Sequence, residues 1–309
     1  MHRLNSITLA QLRIFIGVAD TGSFTEAAYE LDMTQSAVSH AVSSLEKALG
    51  EQLLTRGRQG AQLTAIGGKV LVHARKSLHA ALAIEQEIGQ KNQQLSGTLT
   101  VSSFRSAATY LIPPVISRFK KEHPNVDVIV DSIEGKIGWI ERSLIDGKSD
   151  VGITAMPIQT NLMTWELFED EFVILAPRSE AHEPFTWEKL ESMPLILCGE
   201  DCTAPVLAHW KRNGRKLLGY QRVPEDSVVI SMVEHGLGYS ILPRLATEPL
   251  PDTVAACALP LPLVRRIGVA ISPERLNSPL VSAFVQAMRD TEFLTQNSLV
   301  QNNILSLIA

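Results

Sequence analysis

Cysteine is scarce. There are three in 309 residues, an odd number too small for a disulfide framework, which fits a reducing compartment. No apolar run approaches the roughly 20 residues that a membrane span needs. The first residues, Met1-His-Arg-Leu-Asn-Ser6, hold no apolar core or small-residue cleavage site and lead into an amphipathic segment. A secretory signal is therefore not visible, and a cytoplasmic location is expected. Catalytic signatures are missing too: no G-x-S-x-G elbow, no H-E-x-x-H helix, no P-loop and no Rossmann glycine fingerprint. The eight histidines are scattered without ligand spacing. An enzyme is disfavoured, and neither a cofactor nor a metal is expected. Positive charge is also in short supply. The chain carries a net −5, divided as +1 over residues 1–94 and −6 over the rest. Any case for nucleic acid must come from motif geometry and a local basic surface.

What is present is ordinary for a soluble globular protein: 45% hydrophobic and 20% charged residues. At roughly 100–200 residues per domain, the length allows two or three domains, and such a chain buries enough surface to need no disulfide or metal. From Leu9 to about Leu63 the pattern is short helices with tight turns. From about Thr64 to Leu95 it is one proline-free helical stretch. From Gly97 onward, strand-like runs alternate with helical ones. Thr98–Ser102, Val126–Val130 and Asp150–Thr154 read as strands, and Tyr110–Glu122 and Ile137–Ile145 as helices. That alternation predicts an α/β domain with a largely parallel sheet.

Ser23-Phe-Thr-Glu26 has the spacing of a capping box, in which the serine hydroxyl and the glutamate each satisfy a backbone N–H. The helix it starts carries Ala27, Ala28 and Leu31 on one side. After a break at Asp32-Met33, Thr34 can cap a second helix that runs to Leu49, with Gly50 as its stop. Val38, Ala41, Val42, Leu45 and Leu49 recur at helical spacing and form a core face. Gln35, Ser36, Ser39, His40 and Ser43 occupy the other face, and none is acidic. Gln pairs with adenine edges and Ser with bases or phosphates, so this helix has the chemistry of a major-groove reader. A plain αα-hairpin with a solvated polar face fits the same pattern. Arg56-Gly-Arg58-Gln-Gly60 follows, readable as a β-turn wing that brings two guanidinium groups to phosphates or as a surface loop.

Together these segments resemble the LysR-type transcriptional regulators. The resemblance rests on Phe15, Gly22-Ser23-Phe24, Ala27-Ala28, Leu31, Thr34-Gln35-Ser36-Ala37-Val38-Ser39, Leu45-Glu46, Leu49-Gly50, Leu53, Arg56, Arg58, Leu63-Thr64 and Gly67. It is dense over about 60 residues and continues more sparsely through the C-terminal part. Leu54 departs from the family's usual Phe, and a leucine should still fill a wing-packing site. The resemblance implies a winged helix-turn-helix over 1–65, an α-helical linker over 66–95 and a two-lobed, periplasmic-binding-protein-like α/β effector domain over 96–309. Its first lobe would span about 96–163 and 265–309, and its second about 164–264. It implies DNA contacts from Thr34, Gln35, Ser36, Ser39, His40, Ser43, Arg56 and Arg58. The partners implied are a pseudo-palindromic double-stranded promoter site, a small-molecule inducer, RNA polymerase, and further copies of the chain in a homodimer or homotetramer. The missing signal and the helix-turn-helix argue against a periplasmic solute-binding protein.

Ile66–Gln94 could form a helix of about 29 residues, near 43 Å long. Leu71, Ala74, Leu78, Ala81, Leu82 and Ile88 lie on or near one stripe. Pairing with another chain and packing on its own C-terminal domain both account for that stripe, and family resemblance favours the dimer. In the effector domain, Ser102-Ser103-Phe104-Arg105-Ser106 joins a strand to a helix, where hydroxyls and free N–H groups suit an anion. Thr154 lies on the same sheet edge, and Cys202-Thr203 follows the strand Pro194–Cys198 across the cleft. The resemblance places the inducer among these loops, although simple helix capping explains each Ser or Thr as well. The loops hold no aromatic cage, so a compact polar or anionic inducer is expected. A redox sensor using Cys198 and Cys202 is the alternative, weakened by Glu200 and Asp201, which tend to raise thiol pKa.

Overall fold

A computed structural model describes residues 7–57, 60–91, 95–132, 138–215, 217 and 219–308. Arg58, residues 92–94 at the end of the expected linker helix, and Ile137 lie outside them. The chain divides into two compact units, one of Met1–Leu95 with Ile145–Lys148 and Asn277–Pro279, the other of the remaining residues.

In the first unit α1 (Leu9–Thr21), α2 (Phe24–Glu30) and α3 (Gln35–Leu49) lead to a hairpin of β1 (Leu54–Gly57) and β2 (Gly60–Leu63), then to α4 (Ala65–Lys91). Each short helix starts where a side chain can take an orphan N–H. Thr8 caps α1 in a reciprocal box with Gln11, which the spacing analysis did not pick out. Ser23 accepts from Glu26 N–H at 3.3 Å as expected. The return arm of that box is made differently, because Ser23 N–H donates to Thr21 Oγ1 at 3.2 Å. Thr34 accepts from Ala37 N–H, and α3 ends at Gly50 with φ 75°, a left-handed turn that glycine adopts without a Cβ clash. Phe15, Val18, Ala27, Val38, Val42, Leu45, Leu53 and Leu54 form the core. Leu54 thus fills the position expected of it.

The hairpin is held from two sides. Glu46 Oε1 accepts Leu53 N–H at 2.8 Å and Leu54 N–H at 3.1 Å, which ties the end of α3 to β1. Ala61 N–H donates to Gly22 O at 2.7 Å, which ties β2 to the α1–α2 turn. A Cβ on Gly60 would stand 2.4 Å from Gly22 O, so only glycine permits that approach. Leu71, Ala74 and Arg75 in the first half of α4 are buried, with Arg75 ion-paired to Asp20 of α1. The expected apolar stripe therefore splits. Leu71 and Ala74 serve their own core, whereas Leu82 and Ile88 stand 49% and 64% exposed.

The rest of the chain runs β3 (Ser96–Ser103), α5 (Arg105–Tyr110), α6 (Ile112–Glu122), β4 (Asn125–Ser132), α7 (Trp139–Ile145), β5 (Val151–Met156), β6 (Met163–Pro177), α8 (Trp187–Ser192), β7 (Leu195–Cys198) and α9 (Glu200–Arg212). It continues through β8 (Gln221–Val223), α10 (Asp226–Glu234), β9 (Tyr239–Pro243), β10 (Val254–Ala258), β11 (Val264–Ile271), α11 (Pro279–Arg289), α12 (Thr291–Thr295), α13 (Ser298–Gln301) and β12 (Ser306–Leu307). The strand order is β4-β3-β5-β11-β6-β9-β7-β8, with β10 and β12 also on β6.

Strand β6 belongs to two sheets. Met163–Glu171 pair with β11, and Phe172–Pro177 pair with β9 and β10. The change of sheet falls at Glu171–Phe172, further along than the Thr164 expected from sequence. The pairs β3–β4, β3–β5, β7–β8 and β7–β9 are parallel, as expected. The pairs made by β6 and β11 are antiparallel, so the arrangement is mixed. Two strands that carry the chain out of one lobe and back must run in opposite senses. The helix expected over Tyr110–Glu122 begins at Ile112, where Leu111 separates it from α5, and α11 stops at Arg289, where Asp290 caps α12 by accepting Phe293 N–H.

Candidate functional sites

The polar face of α3 is open. Thr34, Gln35, Ser36, His40 and Ser43 are exposed, and Ser39 is half-buried. Ser39 is covered because Arg56 reaches it from the hairpin: Arg56 Nη2 donates to Ser39 Oγ, and the guanidinium lies 4.2 Å over the Phe24 ring centroid. The structure thus brings Arg56 and the α3 residues into one surface, with no acidic residue in the first turn of α3. The stacking on Phe24 fixes a long side chain that would otherwise lose rotamer entropy on contact with a ligand.

The expected effector residues have more divided fates. Ser102 Oγ bonds to Ser149 Oγ, which meets Ser143 Oγ at 2.6 Å, so this hydroxyl is used inside the first lobe. Ser103 Oγ donates to Phe104 O at 3.1 Å, and Thr203 Oγ1 donates to Cys198 O at 2.9 Å as a local helix bond. Thr154 Oγ1 donates to Glu141 Oε1 at 3.0 Å. Ser106 differs. It accepts from Arg265 Nη2 at 3.2 Å, and its own O–H has no acceptor among the described residues. Arg105 is ion-paired while its side chain stays 32% exposed. Its Nε donates to Asp226 Oδ2 at 3.0 Å, and Nη2 makes a second bond to the same oxygen. Asp226 opens α10 in the second lobe, so this pair joins the two lobes.

Sequence reasoning missed Arg265, Asp170 and Asp226. Arg265 on β11 donates from Nε to Asp170 Oδ2 at 2.8 Å and stacks 4.5 Å over the Phe104 ring centroid. Asp170 on β6 is fully buried and also accepts Leu245 N–H at 3.0 Å. Burial pushes its carboxyl above the usual range, and Arg265 with the Leu245 and Arg244 N–H groups pulls it back. A signal was available: in Glu169-Asp170-Glu171, strand alternation must turn the middle carboxylate inward.

Cys198 and Cys202 lie together, at the end of β7 and in the first turn of α9. All three cysteines are free thiols. The Cys198 thiol donates to Pro224 O at 3.5 Å. Its closeness to Cys202 and its burial push the Cys198 pKa up, and the same closeness holds the Cys202 pKa down with help from Arg265, against burial and Asp201. Asp201 raises the Cys202 pKa, the direction its position beside the thiol implies, while Cys198 acts the other way. Cys257 stands apart, raised by burial. Among the described residues, no group of His, Cys, Asp and Glu could hold a metal, and no helix is long and apolar enough to cross a membrane.

A two-lobed sensor carrying a winged helix-turn-helix defines a class of one-component transcription regulator. Residues 9–68 match the bacterial regulatory helix-turn-helix protein, lysR family, model, and residues 92–292 match the LysR substrate binding domain model. The chain belongs to the LysR family of DNA-binding transcription regulators, and its relatives are regulators rather than enzymes. It is 41% identical over 289 residues to a probable HTH-type transcriptional regulator, LrrA, of Synechococcus elongatus, covering 92% of this chain and 97% of that one. It is 25% identical over 289 residues to the regulator IlvY of Escherichia coli, covering 89% and 97%. Its fold is similar to that of a full-length OxyR variant from Pseudomonas aeruginosa, with TM-score 0.73, 23% identity, and 92% and 95% covered. It is also similar to full-length CbnR complexed with its target DNA, with TM-score 0.64, 21% identity, and 92% and 99% covered.

Proposed function

We propose that residues 1–65 read a pseudo-palindromic promoter site in double-stranded DNA, that 66–95 join copies of the chain, and that 96–309 bind a small anionic inducer between the lobes. The observation that carries this is the acid-free, exposed face of α3 with Arg56 fixed beside it. The CbnR structure with its target DNA supports the same use of the fold. Gln35, Ser36, His40 and Ser43 face the major groove, with Thr34 and Ser39 at its rim, and Arg56 and Arg58 contact phosphates. RNA polymerase is the expected protein partner, in the cytoplasm. Arg56→Ala should weaken binding about equally across sequences and reduce the salt slope by about 1. Gln35→Ala should instead change base preference, at about 1–3 kcal/mol. Footprinting across a salt series checks both, and unchanged affinity and preference in the two variants would move the reading surface elsewhere.

A homodimer or homotetramer follows from α4. At 27 residues it extends about 40 Å, well past the core that buries its first half. Leu82→Glu with Ile88→Glu should shift the sedimentation of the full chain from dimer or tetramer to monomer. A wild type that sediments as a monomer at micromolar concentration would exclude this assembly. For the inducer, Ser106 with its undirected O–H is the leading donor. Arg105 and Arg265 supply positive charge, and Thr154 and Cys202 line the neighbouring walls. Ser102, Ser103 and Thr203 contribute through the backbone around them. A ligand that touches both lobes favours one separation of the lobes over another, which is how it can change the DNA-bound form.

A further inference from the structure

The cleft holds two arginine–aspartate pairs, and they are not equivalent. Arg265–Asp170 is saturated. One Asp170 oxygen takes Arg265 and the other takes Leu245 N–H, and the carboxylate is wholly buried between the crossing strands. Arg105–Asp226 is not. Nε and Nη2 of Arg105 address the same oxygen, Oδ2, while Oδ1 is buried and accepts no hydrogen bond among the described residues. A buried carboxylate oxygen without a donor costs free energy, so this pair is held less well than its neighbour. The Arg105 side chain also remains 32% exposed, against 13% for Arg265, so a ligand can reach it.

We propose that Asp226 is an internal competitor for the inducer: its carboxylate occupies the guanidinium of Arg105 that a compact carboxylate ligand would take, and so sets the concentration at which the regulator responds. The inference rests on reading the cleft as the inducer site. In the exchange, a ligand carboxylate replaces Asp226 on Arg105 and meets Ser106 O–H one residue along. Asp226 is released toward solvent at the start of α10. Helix α5 stays docked on the second lobe meanwhile, because Tyr110 OH, on the same helix, donates to Glu248 O. Arg265 does not exchange, since removing it would strand Asp170. The regulator thus has one replaceable ion pair beside one fixed pair. The ligand class that follows is a small carboxylate with one end narrow enough to enter between Arg105 and Ser106.

The test uses the full chain and succinate as the probe, titrated calorimetrically at constant ionic strength. Asp226→Asn should bind succinate at least about tenfold more tightly than the wild type, a gain of about 1.4 kcal/mol. Asn can still accept from Arg105, so Asp226→Ser is the second variant and should gain at least as much. Adding Arg105→Gln to either should abolish the gain. Binding no tighter than wild type in both single variants, or a gain that survives Arg105→Gln, overturns the proposal. Ser106→Ala separates this from failure of the inducer site itself. If it weakens succinate binding while the Asp226 variants change nothing, the cleft is the site but Asp226 is no competitor. If none of these substitutions alters binding, the site lies elsewhere and both readings fall.

Discussion

Arg265→Ala is expected to destabilise the effector unit by about 3–5 kcal/mol, because it leaves Asp170 charged and unpaired in the interior. Asp170 has no route to water: it is fully buried, and its other oxygen is committed to Leu245 N–H. With Arg265 gone, the carboxyl rises further above a range it already exceeds through burial. The folded state of the variant then holds a proton that the unfolded chain has released, so its stability falls as pH increases. The loss should be larger at pH 8 than at pH 5, where protonation of Asp170 relieves part of it. Denaturant titrations of wild type and variant at both pH values check the size and the sign. The double variant Arg265→Ala with Asp170→Asn should recover much of the loss, since an amide can still accept from Leu245 without burying a charge. A single-variant loss below about 1 kcal/mol would mean that solvent reaches this pair as it does a surface one.

Gly67→Ala should unfold the DNA-reading unit more readily by roughly 2–4 kcal/mol, although alanine is the better helix former. A Cβ at this position would stand 2.0 Å from Leu53 O and 3.1 Å from Thr64 Oγ1. Neither neighbour can yield cheaply. Leu53 O accepts Thr64 N–H at 2.9 Å while Leu53 N–H is held by Glu46, and Thr64 Oγ1 caps α4 by accepting Gly67 N–H at 2.9 Å. The next residue is an internal control. Nothing lies within 4 Å of a Cβ on Gly68, so Gly68→Ala should stabilise by about 0.5–1 kcal/mol through helix propensity alone. Calorimetric melting of the two variants beside the wild type should move the first unit's transition in opposite directions. Equal shifts would show that the β1–α4 junction relaxes around the added methyl.

The DNA-reading unit was readable from sequence because its cues are local. A cap, a helical stripe and a stop residue lie within 17 residues for α3, and Thr34 and Gly50 act where the pattern put them. The box at Ser23 failed only in its second half, where Thr21 supplied an acceptor that a fixed four-residue spacing cannot include. The effector cleft was less legible because its chemistry is long-range. Arg105 and Asp226 are separated by 121 positions, and Arg265 and Asp170 by 95. No spacing rule joins them, although the inward turn of Asp170 follows from alternation along β6. Hydroxyls are ambiguous for the opposite reason. Ser and Thr at strand ends and helix starts satisfy nearby backbone as readily as ligands, and Ser103 and Thr203 bond to backbone carbonyls here.

The strand shared between the two sheets has a mechanical consequence. A 15-residue ribbon that is hydrogen-bonded along its length cannot fold at its midpoint as a loop does. At the crossover, Phe172 N–H is held by Leu263 O at 2.8 Å, so sharp bending there would break a bond between the two crossing strands. What the pair can do is wind. Strand β11 already carries a register shift between Ile267 and Gly268, and such irregularities locally increase twist. Movement of one lobe against the other is thus carried as torsion in a two-strand bar, with small angular travel and an elastic return. A ligand that relaxes or tightens that bar would act on both lobes at once.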